Sequence, residues 1–278
     1  GYAAGYQTQV LGKAVIIGEG AVYAVAESTA IGTVAIGFNA LNALTSGAGN
    51  IGIGYQAGTV VNTGSKNTYL GYQAGLKDTD QDENTFIGYY SGYESCTAGA
   101  ASYHNTYVGS FSGENIDDGI RNVAIGRSAM RGTDADGNDA SYNVAIGREA
   151  LTSISDGDNN VAIGSASGDA IDTGSNNVAI GSDALGSATA PTQNVAIGKG
   201  AMSNMTGAGD GNVVIGVDAG DAFGSAAVGA TVLIGKNAGT SINSTDANYA
   251  VAIGQSAALA VTESRYNTVI GYEALKTV

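Results

Sequence analysis

The strongest constraint on the fold of this chain is a short motif that returns about every 17 residues. The run from Asn194 to Gly198 reads Asn-Val-Ala-Ile-Gly, and four further copies carry the same five letters. When the looser copies are aligned on the final glycine, sixteen anchor glycines stand 17 to 21 residues apart. Because such a period repeats one supersecondary unit, it predicts a solenoid of about sixteen coils. The anchors are Gly1, Gly18, Gly37, Gly54, Gly71, Gly88, Gly109, Gly126, Gly147, Gly164, Gly181, Gly198, Gly216, Gly235, Gly254 and Gly271.

Each position within the repeat has its own residue preference. The residue before each anchor glycine is Ile, Leu or Val, and the one before that is usually Ala. Side chains alternate along a strand, so these two rows face opposite sides. We expect the Ile row to form the core and the Ala row to stay exposed in a single chain, which favours a parallel homo-oligomer. Ala or Ser three residues after the glycine indicates restricted space, and Asn at the strand start predicts amide ladders between coils. The repeat residues singled out are Asn122, Ile125, Gly126, Ala129, Asn143, Ile146, Gly147, Ala150, Asn160, Ile163, Gly164, Ser167, Asn177, Ile180, Gly181 and Ala184.

The composition excludes several classes of protein. Hydrophobic residues make up 44% of the chain, which is enough apolar surface to bury, so the composition disfavours a disordered chain. The 25 Asp and Glu against 11 Lys and Arg give a net charge of −14, which opposes nucleic acid or an anionic membrane as partner. One cysteine cannot close an intrachain disulfide. No apolar run is long enough for a membrane helix, so we expect no membrane insertion.

The repeat and the composition together predict an all-β protein. One coil is a short strand, a bend at the glycine, a second short segment and a polar return loop. The expected architecture is a parallel β-roll, or β-solenoid, in which residues 1–278 form a single repeat domain. Gly1 is in phase with the repeat, 17 residues before Gly18, so we expect the array to continue upstream as part of a longer fibre.

The Asn-Val-Ala-Ile-Gly unit, followed by Ala or Ser at the third place after the glycine, resembles the YadA-like head repeat of trimeric autotransporter adhesins. The runs 54–58 and 71–75, which both read Gly-Tyr-Gln-Ala-Gly, look like the repeats of phage tail-fibre proteins and related bacterial surface fibres. The resemblance covers nearly the whole chain. It implies a left-handed roll wound as a homotrimer. It also implies an extracellular structural and adhesive role, in a virion tail fibre or on a bacterial cell surface, with a cell-surface glycan or protein as receptor.

Aromatic residues are concentrated between residues 38 and 111. Phe38 and three tyrosines directly follow successive anchor glycines, so they should stack as a ladder on one face of a solenoid. A second ladder of Tyr69, Phe86 and Tyr107 replaces Ala two residues before the glycine. The rings either stabilise the roll by stacking on one another or bind a sugar or another receptor. The coil between Gly88 and Gly109 is four residues longer than the basic coil and carries several of these rings. The candidate receptor or glycan-binding residues are Tyr55, Tyr72, Tyr89, Tyr90, Tyr93, Tyr103 and His104.

Residue types that serve in catalysis occur, but without a catalytic pattern. His104 is the only histidine and lies eight residues from Cys96, yet a lone histidine in a polar loop is more often solvated than catalytic. Scattered loop carboxylates leave open a tailspike-like polysaccharide depolymerase, although no pair stands out. A row of Thr of the kind that binds ice is absent. We therefore expect a protein that is not an enzyme and has no cofactor.

Calcium is the metal for which the sequence offers candidates. Alternating acidic side chains resemble the first half of a calcium loop, but the glycine and the glutamate that complete an EF-hand are missing. Turn chemistry explains Asp, Asn and Gly in such loops without any ion. The calcium candidates are Asp78, Asp80, Asp82, Asp134, Asp136 and Asn138.

Overall fold

The computed structural model describes residues 2–6, 12–23, 30–95, 102–133, 137–207, 209–221, 223, 228–240, 242, 249–259 and 266–276. These residues form only strands, turns and loops, and each strand ends directly before an anchor glycine. The strands are β1 (Val15–Ile17), β2 (Val34–Ile36), β3 (Ile51–Ile53), β4 (Thr68–Leu70), β5 (Thr85–Ile87), β6 (Thr106–Val108), β7 (Val123–Ile125), β8 (Val144–Ile146), β9 (Val161–Ile163), β10 (Val178–Ile180), β11 (Val195–Ile197), β12 (Val213–Ile215), β13 (Val232–Ile234), β14 (Val251–Ile253) and β15 (Thr268–Ile270). The prediction of an all-β chain is confirmed. Within these ranges no helix has the length and apolar character needed to cross a membrane.

The chain divides into two compact units, residues 1–142 with β1–β7 and residues 143–278 with β8–β15. Within each unit every strand pairs in parallel with the next strand along the sequence. Equivalent residues stand opposite one another, so that Ala179 pairs with Ala162 on one side and Ala196 on the other. Each unit is therefore a parallel β-solenoid, as the repeat predicts. A single domain over residues 1–278, left-handed winding and a three-chain assembly stay predictions.

The middle residue of each strand, not the last one, faces the interior. Ala124 and Ala162 are fully buried, whereas Ile125 and Ile163 keep 40% and 37% of their surface exposed. Ile146 and Ile180 are likewise only partly covered. The expectation that the Ile row forms the core of a single chain, with the Ala row left outside, is therefore wrong. The second segment of the coil packs directly against the strand centre, and the last residue of the strand lies on the opposite, outer face.

The second segment supplies the opposite wall of this thin core. The Ala or Ser three residues after the anchor is buried, as its small size predicts, at Ala129, Ala150, Ser167 and Ala184. The next residue packs against the strand centre, and its volume is matched to that of its partner. A Cβ added to Gly75 would lie 2.3 Å from the Tyr69 ring, and one added to Gly113 would lie 2.3 Å from the Tyr107 ring. In the coils of Ala124, Ala145 and Ala179 this position instead holds a large buried residue, namely Met130, Leu151 and Leu185. In these coils the choice between Gly and a large apolar residue at this place is thus a volume match.

The asparagines that directly precede most strands form the amide ladder that the repeat predicts. Asn160 is buried, and its Oδ1 accepts a hydrogen bond from the backbone N–H of Asn177 at 3.0 Å. Its Nδ2 donates to the carbonyl of Gly174 at 2.8 Å. The same two bonds recur in both units, where the ladders run through Asn50, Asn67, Asn84, Asn105 and Asn122 and through Asn143, Asn160, Asn177, Asn194 and Asn212. Each amide therefore ties the start of one strand to the return loop of the next coil.

The anchor glycine is required both by its φ and by its surroundings. Gly126, Gly147, Gly164 and Gly181 have φ between +130° and +141°, a range that side chains disfavour. A Cβ on Gly164 would also lie 2.5 Å from the carbonyl oxygen of Gly181 in the next coil. The glycine thus allows successive coils to approach at strand spacing.

Residues other than glycine also adopt the left-handed backbone conformation, which the sequence did not predict. Gln56 and Leu41, two and four residues after their anchors, have φ of +53° and +47°. Such residues cost about 1–2 kcal/mol each. The geometry turns alternate N–H groups toward opposite neighbours: Gln56 donates to the Phe38 carbonyl at 2.8 Å, and Leu41 donates to the Ala57 carbonyl at 2.9 Å. These hydrogen bonds between coils offset the strain.

Candidate binding site: an exposed aromatic cluster

A ladder of four aromatic rings lies on the surface of the first unit. Phe38, Tyr55, Tyr72 and Tyr89 each follow an anchor glycine, and neighbouring ring centroids are 5.3, 5.0 and 5.4 Å apart with interplanar angles of 8° to 17°. This separation is close to the roughly 4.8 Å between strands, because each ring is carried by one coil. The rings are 40% to 46% exposed. The predicted stacking of these residues is confirmed.

The ladder widens into a cluster at Tyr89. The ring of Tyr90 lies 4.4 Å from that of Tyr89, and the ring of Tyr93 lies 4.7 Å from that of Tyr90. Phe111, from the following coil, meets Tyr89 edge-on at 5.3 Å and stacks on Tyr90 at 5.8 Å. Tyr72 also contacts Tyr90, at 5.8 Å. We call the rings of Phe38, Tyr55, Tyr72, Tyr89, Tyr90, Tyr93 and Phe111 the aromatic cluster.

Two ion pairs border the aromatic cluster. Lys77 Nζ lies 2.5 Å from Glu94 Oε1 and 5.6 Å from the centre of the Tyr93 ring. Arg131 Nε lies 2.6 Å from Glu114 Oε2, and its guanidinium lies 5.9 Å from the centre of the Phe111 ring. Both cations are therefore neutralised by a carboxylate and held over an aromatic face.

Desolvation favours the protonated form of two phenols of the cluster, those of Tyr72 and Tyr90. Partial desolvation raises the pKa of Tyr72, and the neighbouring phenols of Tyr90, Tyr55 and Tyr93 raise it further. Desolvation also raises the pKa of Tyr90, and its hydrogen bond to Tyr89 raises that pKa further. Within the described ranges, the hydroxyls of Tyr55, Tyr72 and Tyr93 form no hydrogen bond to another residue. They remain available as donors and acceptors for a ligand.

The stacking determines which part of each ring a ligand can reach. The faces of Tyr55 and Tyr72 are covered on both sides by neighbouring rings, and one face of Tyr89 is covered by Tyr72. A sugar therefore cannot lie flat on these two inner tyrosines. What the surface presents is a row of ring edges with their hydroxyls.

Tyr103 and His104, predicted to belong to the same binding region, lie elsewhere. Tyr103 contacts the ring of His104 at 4.9 Å and the guanidinium of Arg121 at 5.8 Å. His104 Nε2 lies 3.1 Å from Glu83 Oε2, and Glu83 also binds Lys66 at 2.7 Å. The hydrogen bond and charge of Lys66, followed by His104, lower the pKa of Glu83. A cleft of about 260 Å³ is lined by Glu83, Tyr103 and His104 together with Asp80, Gln81, Asp82 and Ser102.

Three of the calcium candidates are engaged in separate hydrogen bonds. Asp80 Oδ1 accepts from the Thr63 hydroxyl at 2.9 Å, and Asp82 Oδ1 accepts from the Ser65 N–H at 2.6 Å. The Asn138 amide donates to the Asn115 carbonyl at 2.6 Å. In the described part of the chain no group of three or more His, Cys, Asp or Glu could hold a metal ion. The other candidates, Asp134 and Asp136, lie outside the described residues, as does Cys96.

Asp78, the remaining calcium candidate, is a buried core residue. Its Oδ2 accepts a hydrogen bond from the Tyr69 hydroxyl at 2.5 Å, and its Oδ1 is buried without a partner. Burial raises the pKa of Asp78 to about 7, although the hydrogen bonds from Tyr69 and Asn84 oppose the shift. The position seven residues after the anchor is in most other coils a buried apolar residue, as at Leu44, Val61, Ile116, Ile154 and Ile171, and Asp78 is the only charged residue of the sequence at that place. That exception in the repeat alignment is the signal that could have identified Asp78 from sequence.

Comparison of the chain with protein-family models, with curated proteins and with solved structures found no match.

Proposed function

We propose that this chain is a structural and adhesive segment of an extracellular fibre built from three parallel copies, in a phage tail fibre or a related bacterial surface adhesin. The observation that carries the proposal is the outward row of Val, Ile and Leu along the strands. Ile17 and Leu70 in the first unit are 56% and 42% exposed, and Ile163 and Ile234 in the second are 37% and 36% exposed. Soluble monomers rarely expose apolar rows of this kind.

A second copy of the same chain is the partner that best fits this row. The exposed residues recur at the strand spacing, so an identical parallel row offers side chains at the same intervals. The copy number of three comes from the resemblance to trimeric adhesin heads. The resemblance thus assigns the number, and the exposed row supplies the physical reason to associate.

The proposed role is mechanical and recognitional. Main-chain hydrogen bonds and the asparagine ladder tie each coil to the next, which suits a stiff shaft. Repetition of the loops in three copies supports multivalent attachment to a cell-surface glycan or protein. The net charge of −14 disfavours nucleic acid and anionic lipid as partners. No catalytic step and no cofactor are part of the proposal.

The test is the absolute mass in solution, measured by light scattering. The proposal predicts three times the chain mass of 27.5 kDa. Replacing the outward residues Ile146 and Ile163 by Thr should lower the mass to that of one chain while the β-type circular dichroism persists, because Thr suits strands but removes apolar contact area. The matched control is Ile31→Thr, since Ile31 is 52% exposed but lies outside the strand row. A monomeric wild type would refute the proposal.

A further inference from the structure

The aromatic cluster presents a regular row of hydroxyl groups. Tyr55, Tyr72 and Tyr89 occupy equivalent places in three successive coils, with ring centroids 5.0 and 5.4 Å apart. A sugar residue in an extended polysaccharide advances by a similar length. Successive sugars of a chain that runs across the coils would therefore meet equivalent ring edges.

The chemistry of these edges suits a polyhydroxylated ligand. A phenol hydroxyl both donates and accepts, as a sugar hydroxyl does, and the carbon edge of the ring is apolar like the C–H groups of a sugar. The hydroxyls of Tyr55, Tyr72 and Tyr93 form no hydrogen bond within the described part of the chain. Held by the stacking of their rings, they lose little conformational entropy when a ligand binds.

The charges around the cluster favour a neutral ligand. Lys77 and Arg131, the cations that border it, are each paired with a carboxylate, Glu94 and Glu114. The chain as a whole carries a charge of −14, which repels uronic acids, sulfates and phosphates.

We infer that the aromatic cluster binds a neutral, extended polysaccharide, which runs across the coils and is held by the hydroxyls and edges of Tyr55, Tyr72 and Tyr89. Tyr90 and Tyr93 widen the site at one end. The inference rests on the proposed adhesive function, because it names the ligand class for that role. It requires that the cluster stay accessible in the assembled fibre.

The experiment measures binding of neutral hexasaccharides by isothermal titration calorimetry. The probes are β-1,4-linked oligomers of glucose, mannose and N-acetylglucosamine, and an oligogalacturonate of the same length serves as the anionic comparison. The decisive variant combines Tyr55→Phe, Tyr72→Phe and Tyr89→Phe, which keeps the ring ladder and removes only the hydroxyls. A ligand held by these hydroxyls should bind the variant with a Kd about tenfold higher or more. If the rings serve only to stabilise the roll, any binding of the probes occurs elsewhere on the chain, and the variant then binds them with the same Kd as the wild type.

A matched control removes phenol hydroxyls from another stacked pair. Tyr249 and Tyr266 stack at 5.2 Å in the second unit and are 53% and 72% exposed, so Tyr249→Phe with Tyr266→Phe should leave binding unchanged. The mass of each protein is measured alongside. Loss of binding at unchanged mass supports the inference. It is overturned by a wild type that binds none of the neutral probes below about 1 mM, by preference for the anionic oligomer, or by a triple variant whose mass changes. A wild-type monomer that still binds refutes the fibre proposal alone.

Discussion

Asn160→Asp tests the asparagine ladder with an isosteric change. Asn160 is buried, accepts from the Asn177 N–H at 3.0 Å and donates to the Gly174 carbonyl at 2.8 Å. Aspartate can still accept from Asn177, but an ionised oxygen then faces the Gly174 carbonyl. The variant loses one buried hydrogen bond, worth about 1–3 kcal/mol once the acceptor is left unpaired, and gains an uncompensated buried charge. We expect a free energy of unfolding about 3–5 kcal/mol below that of the wild type at pH 7.

The expected destabilisation depends on pH in a defined direction. A protonated Asp at position 160 can donate to the Gly174 carbonyl, so its folded pKa lies above its unfolded value. The variant therefore loses stability as pH rises through the folded pKa, and the deficit should shrink between pH 7 and pH 4. The assay is equilibrium urea unfolding at both pH values.

The adjacent residue provides the control for this variant. Asn159 is exposed and has φ of +58°, which Asp tolerates, so Asn159→Asp should change stability by less than about 0.5 kcal/mol. Equal urea midpoints for the two variants at pH 7 would refute the reasoning. A deficit for Asn160→Asp that is the same at both pH values would refute it as well.

Two further predictions concern the anchor glycine and the buried carboxyl. In urea unfolding, Gly164→Ala should lower the free energy of unfolding by about 2 kcal/mol or more beyond the loss caused by Gly137→Ala. Both glycines have positive φ, but only at Gly164 would a Cβ clash with the next coil, whereas a Cβ on Gly137 meets nothing within 4 Å. Similar losses for both would mean that strain alone decides. Burial raises the pKa of Asp78 to about 7 from an ordinary 3.8. Between these two pH values the folded state therefore binds a proton that the unfolded state lacks. The free energy of unfolding should fall by roughly 4 kcal/mol as pH rises from 4 to above 7. Asp78→Asn should flatten that dependence and be more stable than the wild type at pH 8; an unchanged pH profile of the unfolding midpoint would contradict this.

Most of the ladder geometry could be predicted from sequence. In a solenoid, equivalent positions stack, so recurrence alone placed Phe38, Tyr55, Tyr72 and Tyr89 in one row and the strand-start asparagines in another. The predicted proximity of the candidate residues was confirmed for the five of them from Tyr55 to Tyr93 but not for Tyr103 and His104, and binding by any of them stays a prediction. Tyr103 and His104 lie in a return loop, where proximity in sequence says little about proximity in space.

The burial of Asp78 and the left-handed residues were not predicted because neither follows from local residue preferences. Asp is common in turns, and only the packing of the Tyr69 ring places this one inside the core. Gln56 and Leu41 are not residues that favour positive φ, and they adopt it because hydrogen bonds to both neighbouring coils require it.

The amino-acid sequence by itself determined the class of fold, its repeat, the position of each strand and the alternation of its side chains. Only the tertiary structure decided which side of the strand is inside. Alternation states that Ala124 and Ile125 face opposite ways, but both residues are apolar, so hydrophobicity does not select between them. The packing of the second segment does, because it covers the strand centre, where Ala lies opposite Met130 or an aromatic ring lies opposite Gly, and leaves the Ile row on the outer face.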